Sequence, residues 1–195
     1  MLCEMVAKNT DMIRRSPVPI EKKVMMTVWT LSNMEAFRSV GDRFGMNRGS
    51  AHRCFIEVCR TIKKSVYPEL ICWPGTPDEW KFNADKFENL HGFPGCVGCV
   101  DGCHVPIKPP SQDRDSYINR KGFASVNMMA ICDHTQKFLY CYAQRAGSVH
   151  DARVFRVSQV GEKALRNQLF ASQDFHLLED SAYPLLPQVW PMVFY

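Results

Sequence analysis

Apolar positions in the first third of the chain recur at helical spacing. After the two prolines of "RSPVPIEKK", Ile20, Val24, Val28 and Leu31 lie three or four residues apart, so a helix is expected from about Glu21 to Leu31. Ser32, with Glu35 three residues on, has the layout of a capping box. Phe37, Val40 and Phe44 then form an apolar stripe of a second, short helix, which Gly45 would end in the left-handed conformation. Past "GMN", Asn47 is placed to cap a third helix with Ala51, Phe55, Val58, Ile62 and Val66 along one side. Arg48 opens that helix, and Arg53, Arg60, Lys63 and Lys64 project roughly opposite its apolar side. A short helix, a tight turn with glycine and a basic amphipathic helix is the pattern of a helix-turn-helix, whose second helix can enter a DNA major groove. A three-helix packing unit with a solvated basic face has the same pattern.

Residues 68–94, "YPELICWPGTPDEWKFNADKFENLHGFPG" with its flank, are rich in Pro and Gly and read as a connector with one short helix near "DKFENL". Beyond it the period changes. "CVGCVDGCHVPI", "ASVNMMAICD" and "KFLYCYAQRAG" are short β-branched or aromatic runs bounded by turn formers, and are read as strands, the last two joined through "DHTQ". "GSVHDARVFRVSQVGEKALRNQLF" reads as a helix with Ser148 as cap and Asp151 as the acid three residues on. "DFHLLED" reads as a fourth strand ending on acids. The organisation expected is therefore an arm at 1–19, an all-α segment at 20–67, a connector at 68–94, and an α/β domain at 95–195 with helices packed on a mixed sheet.

Composition changes this picture in three respects. At 195 residues and 46% hydrophobic content the chain can bury a core. Its longest apolar run, "YPLLPQVWPMVFY", is broken by prolines and too short to span a bilayer, and the N-terminus lacks a signal-peptide layout, so an intracellular protein without a membrane is expected. Nine cysteines, an odd number spread over the chain, suit a reducing compartment, cytosol or nucleus. Finally, the net charge of +4 is uneven: residues 1–70 hold 12 Lys and Arg against 7 Asp and Glu, and residues 71–195 hold 12 against 13. A basic first third fits nucleic acid and fits an ordinary solvated surface equally.

Two groups of side chains bear chemistry. Cys96, Cys99 and Cys103 with His104 have zinc-like spacing, but a strand through residues 97–101 would send Cys96 and Cys99 to opposite faces, which leaves buried thiols as the simpler reading. Asp101 lies in a run that should be a central buried strand, where an unpaired carboxylate is costly. Asp151 at a helix start and Asp180 at a strand end, beside Glu179, are candidate companions, and gathered carboxylates usually share a divalent metal. Each also has a simpler reading: helix cap for Asp151, turn former for Asp180, Asx-turn residue before Gly102 for Asp101.

"GFPGCVGCVDGCHVPIKPP", "YINRKG", "GSVHDARVFRVS" and "LLEDSAYPL" follow in the order and approximate spacing of the DDE-type endonuclease domain of PIF/Harbinger transposases and the nucleases derived from them. "FRSVGDRFGMNRGSAHRCFIEVCRTI" likewise resembles the helix-turn-helix region that precedes that domain. The resemblance spans about residues 20–195. It implies an RNase H-like fold, with Asp101 on the central first strand and Asp180 on the neighbouring parallel strand. It further implies that Asp101, Asp151 and Asp180 are catalytic ligands of divalent metal, Mg²⁺ or Mn²⁺, in phosphodiester cleavage. The loop of Asn119 to Gly122 matches a family motif that would place Arg120 and Lys121 on the substrate backbone, a polar inter-strand loop being the other reading. His104 and His150 adjoin two of the aspartates in the family as well, where they orient a carboxylate or phosphate or simply cap an element.

The family completes its constellation with a Glu on a helix downstream of the fifth strand. "VWPMVFY" resembles the start of that strand, so the chain is expected to be C-terminally truncated and its turnover impaired. The alternative is a domesticated, catalytically inactive DNA-binding or scaffold protein. DNA is the partner the resemblance implies; a Myb-like partner protein and a homodimer stay open, and the nucleus is the location expected from the family, with cytoplasm also compatible.

Overall fold

The computed structural model describes residues 1–8, 17–33 and 35–192. The chain divides into two compact units, Met1–Leu70 and Ile71–Tyr195.

The first unit is helical: α1 (Leu2–Lys8), α2 (Ile20–Ser32), α3 (Phe37–Arg43), α4 (Arg48–Thr61), a π-helical turn (Ile62–Val66) and α5 (Tyr67–Leu70). The expected arm begins with a helix, and its Val6 is buried in a core with Val24, Val58 and Val66. Met26, Val40, Ala51 and Cys54 form a second cluster. Asn47 caps α4 as expected, its side chain accepting the Ser50 N–H at 2.8 Å, and Gly45 takes φ 59° before it. The expected Ser32–Glu35 capping box is absent. Ser32 is the last residue of α2, whose end is closed by the Asn33 side chain donating to the Trp29 carbonyl, and α3 starts behind Ala36 with no side-chain cap. Lys23 is fully buried, its Nζ 3.0 Å from Glu57.

The second unit begins with α6 (Pro77–His91), then β1 (Cys96–Pro106), β2 (Ser125–Cys132), β3 (Phe138–Ala146), α7 (Asp151–Arg156), α8 (Gln159–Leu165), β4 (His176–Glu179) and β5 (Val189–Pro191). Most of the expected connector is thus the 15-residue helix α6. Thr76 and Glu79 form a reciprocal capping box, Pro77 occupies a first-turn position, and Trp80, Ala84 and Phe87 bury one face. The one helix expected from Ser148 onward is two. Asp151 is the first residue of α7, with His150 as N-cap and no side-chain cap. Ser158 then interrupts: its hydroxyl donates to the Phe155 carbonyl and accepts the Gly161 N–H, starting α8.

The strands form one five-stranded sheet in the order β3-β2-β1-β4-β5. β1 and β2 pair antiparallel, as do β2 and β3, while β4 runs parallel to β1 and β5 parallel to β4. This is an α/β fold with a mixed sheet and flanking helices, RNase H-like in arrangement. Its core joins Val97, Val100, Met129, Ile131 and Leu177 of the sheet to Val154 and Phe155 of α7 and Val160 and Ala164 of α8. A side chain as large as Phe155, wholly buried, contributes about 1.5–3 kcal/mol through area removed from water. Among the described residues no helix is long and apolar enough to cross a membrane.

Candidate active site

Register places the first pair of aspartates. Cys99 of β1 faces Leu178 of the parallel β4, and Asp101 and Asp180 each follow two residues later. Both therefore lie just past the carboxyl end of the parallel-paired stretch, where α/β sheets place ligands, although β1 itself continues to Pro106 against β2. β4 stops at Glu179, so from Asp101 onward β1 is bordered by β2 alone, and Asp101 is exposed. The desolvation cost expected of a central buried strand does not arise.

Asp151 reaches the same end of β1 from α7. A Cβ on Gly102 would lie 2.7 Å from Asp151 Oδ1 and 3.2 Å from the Tyr183 hydroxyl, so the absence of a side chain there lets both close on the strand. Asn127 of β2 donates to Asp151 Oδ1 at 2.8 Å and, from the same nitrogen, to the Val149 carbonyl at 2.8 Å. The other aspartates are held in a comparable way. Asp101 Oδ1 accepts the Gly102 N–H at 2.6 Å, and Asp180 Oδ1 accepts the Ala182 N–H at 2.9 Å, which makes the turn into "SAYP". The simple turn roles are therefore real, and they leave Oδ2 of each carboxylate without a hydrogen bond among the described residues.

Tyr183 lies buried beside the cluster. It is 7% exposed, its hydroxyl is buried without a partner, and burial together with the charges of Asp151, Asp101, Asp180 and Glu179 pushes its phenol up. Glu179 is 1% exposed with both carboxylate oxygens unpartnered, and burial, then the neighbouring Asp180, pushes it up to about 8. Neither was marked as a site residue from sequence, although Tyr183 stands within the "LLEDSAYPL" motif and Glu179 beside Asp180. Asn127 was also missed; a polar residue amid the apolar run of β2 was its only signal.

Oxygen donors of this kind fit a hard divalent cation such as Mg²⁺ or Mn²⁺. Among the described residues, however, no three His, Cys, Asp or Glu side chains are gathered closely enough to hold a metal ion. The cysteines are arranged otherwise than alternation implied. A register shift between Cys96 and Gly98 breaks the pleat, so Cys96 and Cys99 join one cluster with Phe87 and Leu178 instead of facing apart. The Cys96 thiol, hydrogen-bonded to Cys99 and buried, is pushed up. Cys103 is exposed, and His104 Nδ1 lies 3.1 Å from Ser125 Oγ.

The basic candidates divide between the units. Arg48, Arg53, Arg60, Lys63 and Lys64 are exposed on α4 and the π-helical turn that follows. Arg120 and Lys121 are exposed on the loop before β2, which buried Asn119 organises by accepting the Lys121 and Phe123 N–H groups.

A mixed sheet with one aspartate on its first strand, one just past the parallel neighbour of that strand and one at the start of the following helix fits a DDE-type endonuclease domain, and residues 100–195 match the family of that description, "DDE superfamily endonuclease". The chain is 32% identical over 155 residues to the Homo sapiens protein named "Putative nuclease HARBI1", covering 78% of this chain and 42% of that one. It is 28% identical over 174 residues to its Xenopus laevis counterpart, 89% of this chain and 49% of that one. To "Protein ALP1-like" of Arabidopsis thaliana it is 26% identical over 185 residues, 88% of this chain and 44% of that one. This chain belongs to the PIF/Harbinger transposase-derived family of DDE superfamily endonucleases. It spans less than half the length of these curated relatives. No solved structure matches it.

Proposed function

We propose that this chain belongs to a divalent-metal-dependent DNA endonuclease of the Harbinger type and carries the aspartates of its site. The observation behind this reading is that Asp101, Asp151 and Asp180 each have Oδ1 fixed by a hydrogen bond and Oδ2 free, around one buried hydroxyl. Asp101, Asp151 and Asp180 would hold Mg²⁺ or Mn²⁺, which when bound activates a water or a DNA 3′-hydroxyl and stabilises the leaving oxygen. The Gly102 and Ala182 N–H groups and the Asn127 amide orient the carboxylates, as partners behind metal ligands generally do. The helical unit, with its basic α4, is the DNA-binding module of this reading, and Arg120 and Lys121 add contacts to the backbone. Residence in the nucleus, a Myb-like partner and self-association belong to the same reading and rest on the family resemblance.

A catalytically inactive DNA-binding or scaffold protein is the second reading. It is favoured by the absence, among the described residues, of three ligands gathered at one point. Calorimetric titration with Mn²⁺ separates the two. Saturable binding weakened at least tenfold in Asp101→Ala and in Asp180→Ala is expected. Binding equal in wild type and variants, or none at millimolar Mn²⁺, would favour the inactive reading.

A further inference from the structure

Five of the nine cysteines stand on β1, β2 and β3, and two of them meet. Cys96 is fully buried and Cys99 half-buried, in the apolar cluster with Phe87, Leu178 and Met192. Three residues along a regular strand would carry the two sulfurs to opposite faces. The register shift between Cys96 and Gly98 turns them to one side. The Cys96 sulfur lies 3.6 Å from the Gly98 carbonyl, and its thiol is also hydrogen-bonded to Cys99. The pair is unequal in access: Cys99 is reached from solvent, and Cys96 sits behind it.

Such a pair suits a covalent bond better than an ion. Among the described residues no third His, Cys, Asp or Glu joins the two closely enough to hold a metal. Two thiolates on a monovalent soft cation would leave a net charge among Phe87, Leu178 and Met192. A disulfide is neutral and needs the two sulfurs alone. Cys132 faces Cys99 across the antiparallel ladder and is the rival partner, but the hydrogen bond selects Cys96.

We propose that Cys96 and Cys99 are an oxidisable dithiol, converted to a disulfide by a hydroperoxide, with Cys99 attacked first and Cys96 closing the bond. The Cys99 sulfur attacks the hydroperoxide, the O–O bond breaks, and the thiol proton leaves with the departing oxygen as an alcohol, or as water from hydrogen peroxide. Cys99 is then a sulfenic acid. The Cys96 sulfur attacks it, the S–S bond forms, the S–O bond breaks, and hydroxide takes the Cys96 proton and leaves as water. Two electrons pass from the sulfurs to the peroxide. Cys99 is the last β1 residue of the parallel ladder, and Asp101 follows two residues on, so the bond forms on the strand that carries that aspartate. The sulfur chemistry itself stands apart from the nuclease reading.

The test treats the full reduced chain, without metal or DNA, with equimolar hydrogen peroxide, then alkylates the remaining thiols and maps the products by mass spectrometry. The expected product is a peptide with Cys96 and Cys99 joined, lighter by two hydrogens and restored by dithiothreitol. It forms about tenfold faster than any oxidation of the exposed Cys72 and Cys103. Cys99→Ser abolishes it. In Cys96→Ala, Cys99 stops at the sulfenic acid, which dimedone traps, a product that an inert buried thiol does not give. Oxidation of Cys72 or Cys103 ahead of Cys99 would overturn the proposal, and so would a Cys99–Cys132 disulfide with Cys96 still free. The wild-type map decides the matter by itself if Cys96→Ala does not fold.

Discussion

Asn127 and Asp151 lie 24 residues apart in the chain, yet the amide of one donates to the carboxylate of the other at 2.8 Å with a nitrogen that also holds the Val149 carbonyl. The contact fixes the start of α7 against β2 and leaves Asp151 Oδ2 free. Asn127→Ala removes it. Fold retention by circular dichroism, a stability loss of about 1–2 kcal/mol in urea, and a 10- to 100-fold loss of Mn²⁺ affinity are expected. Unchanged affinity would mean that Asp151 is a helix-start residue with no part in metal binding.

Glu179 makes stability depend on pH. Its carboxyl is raised from 4.5 to about 8 by burial and by Asp180, so the native state holds a proton that the unfolded chain has lost. The contribution is fully present below the unfolded value and is lost as pH rises through about 8. In EDTA, wild type should lose stability steadily between those two limits, and Glu179→Gln should flatten the profile and be the more stable protein at pH 8. Parallel profiles would show that the carboxylate is charged and solvated.

Tyr183 carries a buried hydroxyl with no partner. Removing an unsatisfied buried polar atom while keeping the ring should stabilise, so Tyr183→Phe is expected to raise the unfolding free energy by about 1 kcal/mol in EDTA. A loss of stability instead would reveal a hydrogen bond at that oxygen.

In the helical unit, the fully buried Lys23 ammonium depends on Glu57. Glu57→Ala should cost about 3 kcal/mol by leaving that charge uncompensated, whereas Lys23→Met should be nearly neutral, because the methylene stem is replaced and the exposed side of Glu57 is solvated. Equal losses in the two variants would contradict this.

What the sequence revealed follows the range of the forces involved. β1 to β3 were legible because each is a short β-branched or aromatic run bounded by turn residues, and α2 and α4 because a single stripe and, for α4, the Asn47 cap mark them. α6 was hidden because Trp80, Ala84 and Phe87 stand among Pro, Gly and charged residues that resemble a loop. The openness of Asp101 depends on where β4 ends, some 80 residues away, and the contact of Cys96 with Cys99 on a register shift; neither is a local property. The aspartates were found through motif order, but Asn127, which holds Asp151, and the buried Tyr183 beside them meet them only across the fold.

The central claim, that Asp101 belongs to a metal-dependent site for cutting DNA, is tested most directly by incubating excess purified chain with supercoiled plasmid in Mn²⁺ or in EDTA, alongside Asp101→Ala and Asp180→Ala. The account predicts nicking by wild type in Mn²⁺ only, absent from both variants. Nicking that survives in Asp101→Ala, or nicking by wild type that is as strong in EDTA as in Mn²⁺, would contradict it.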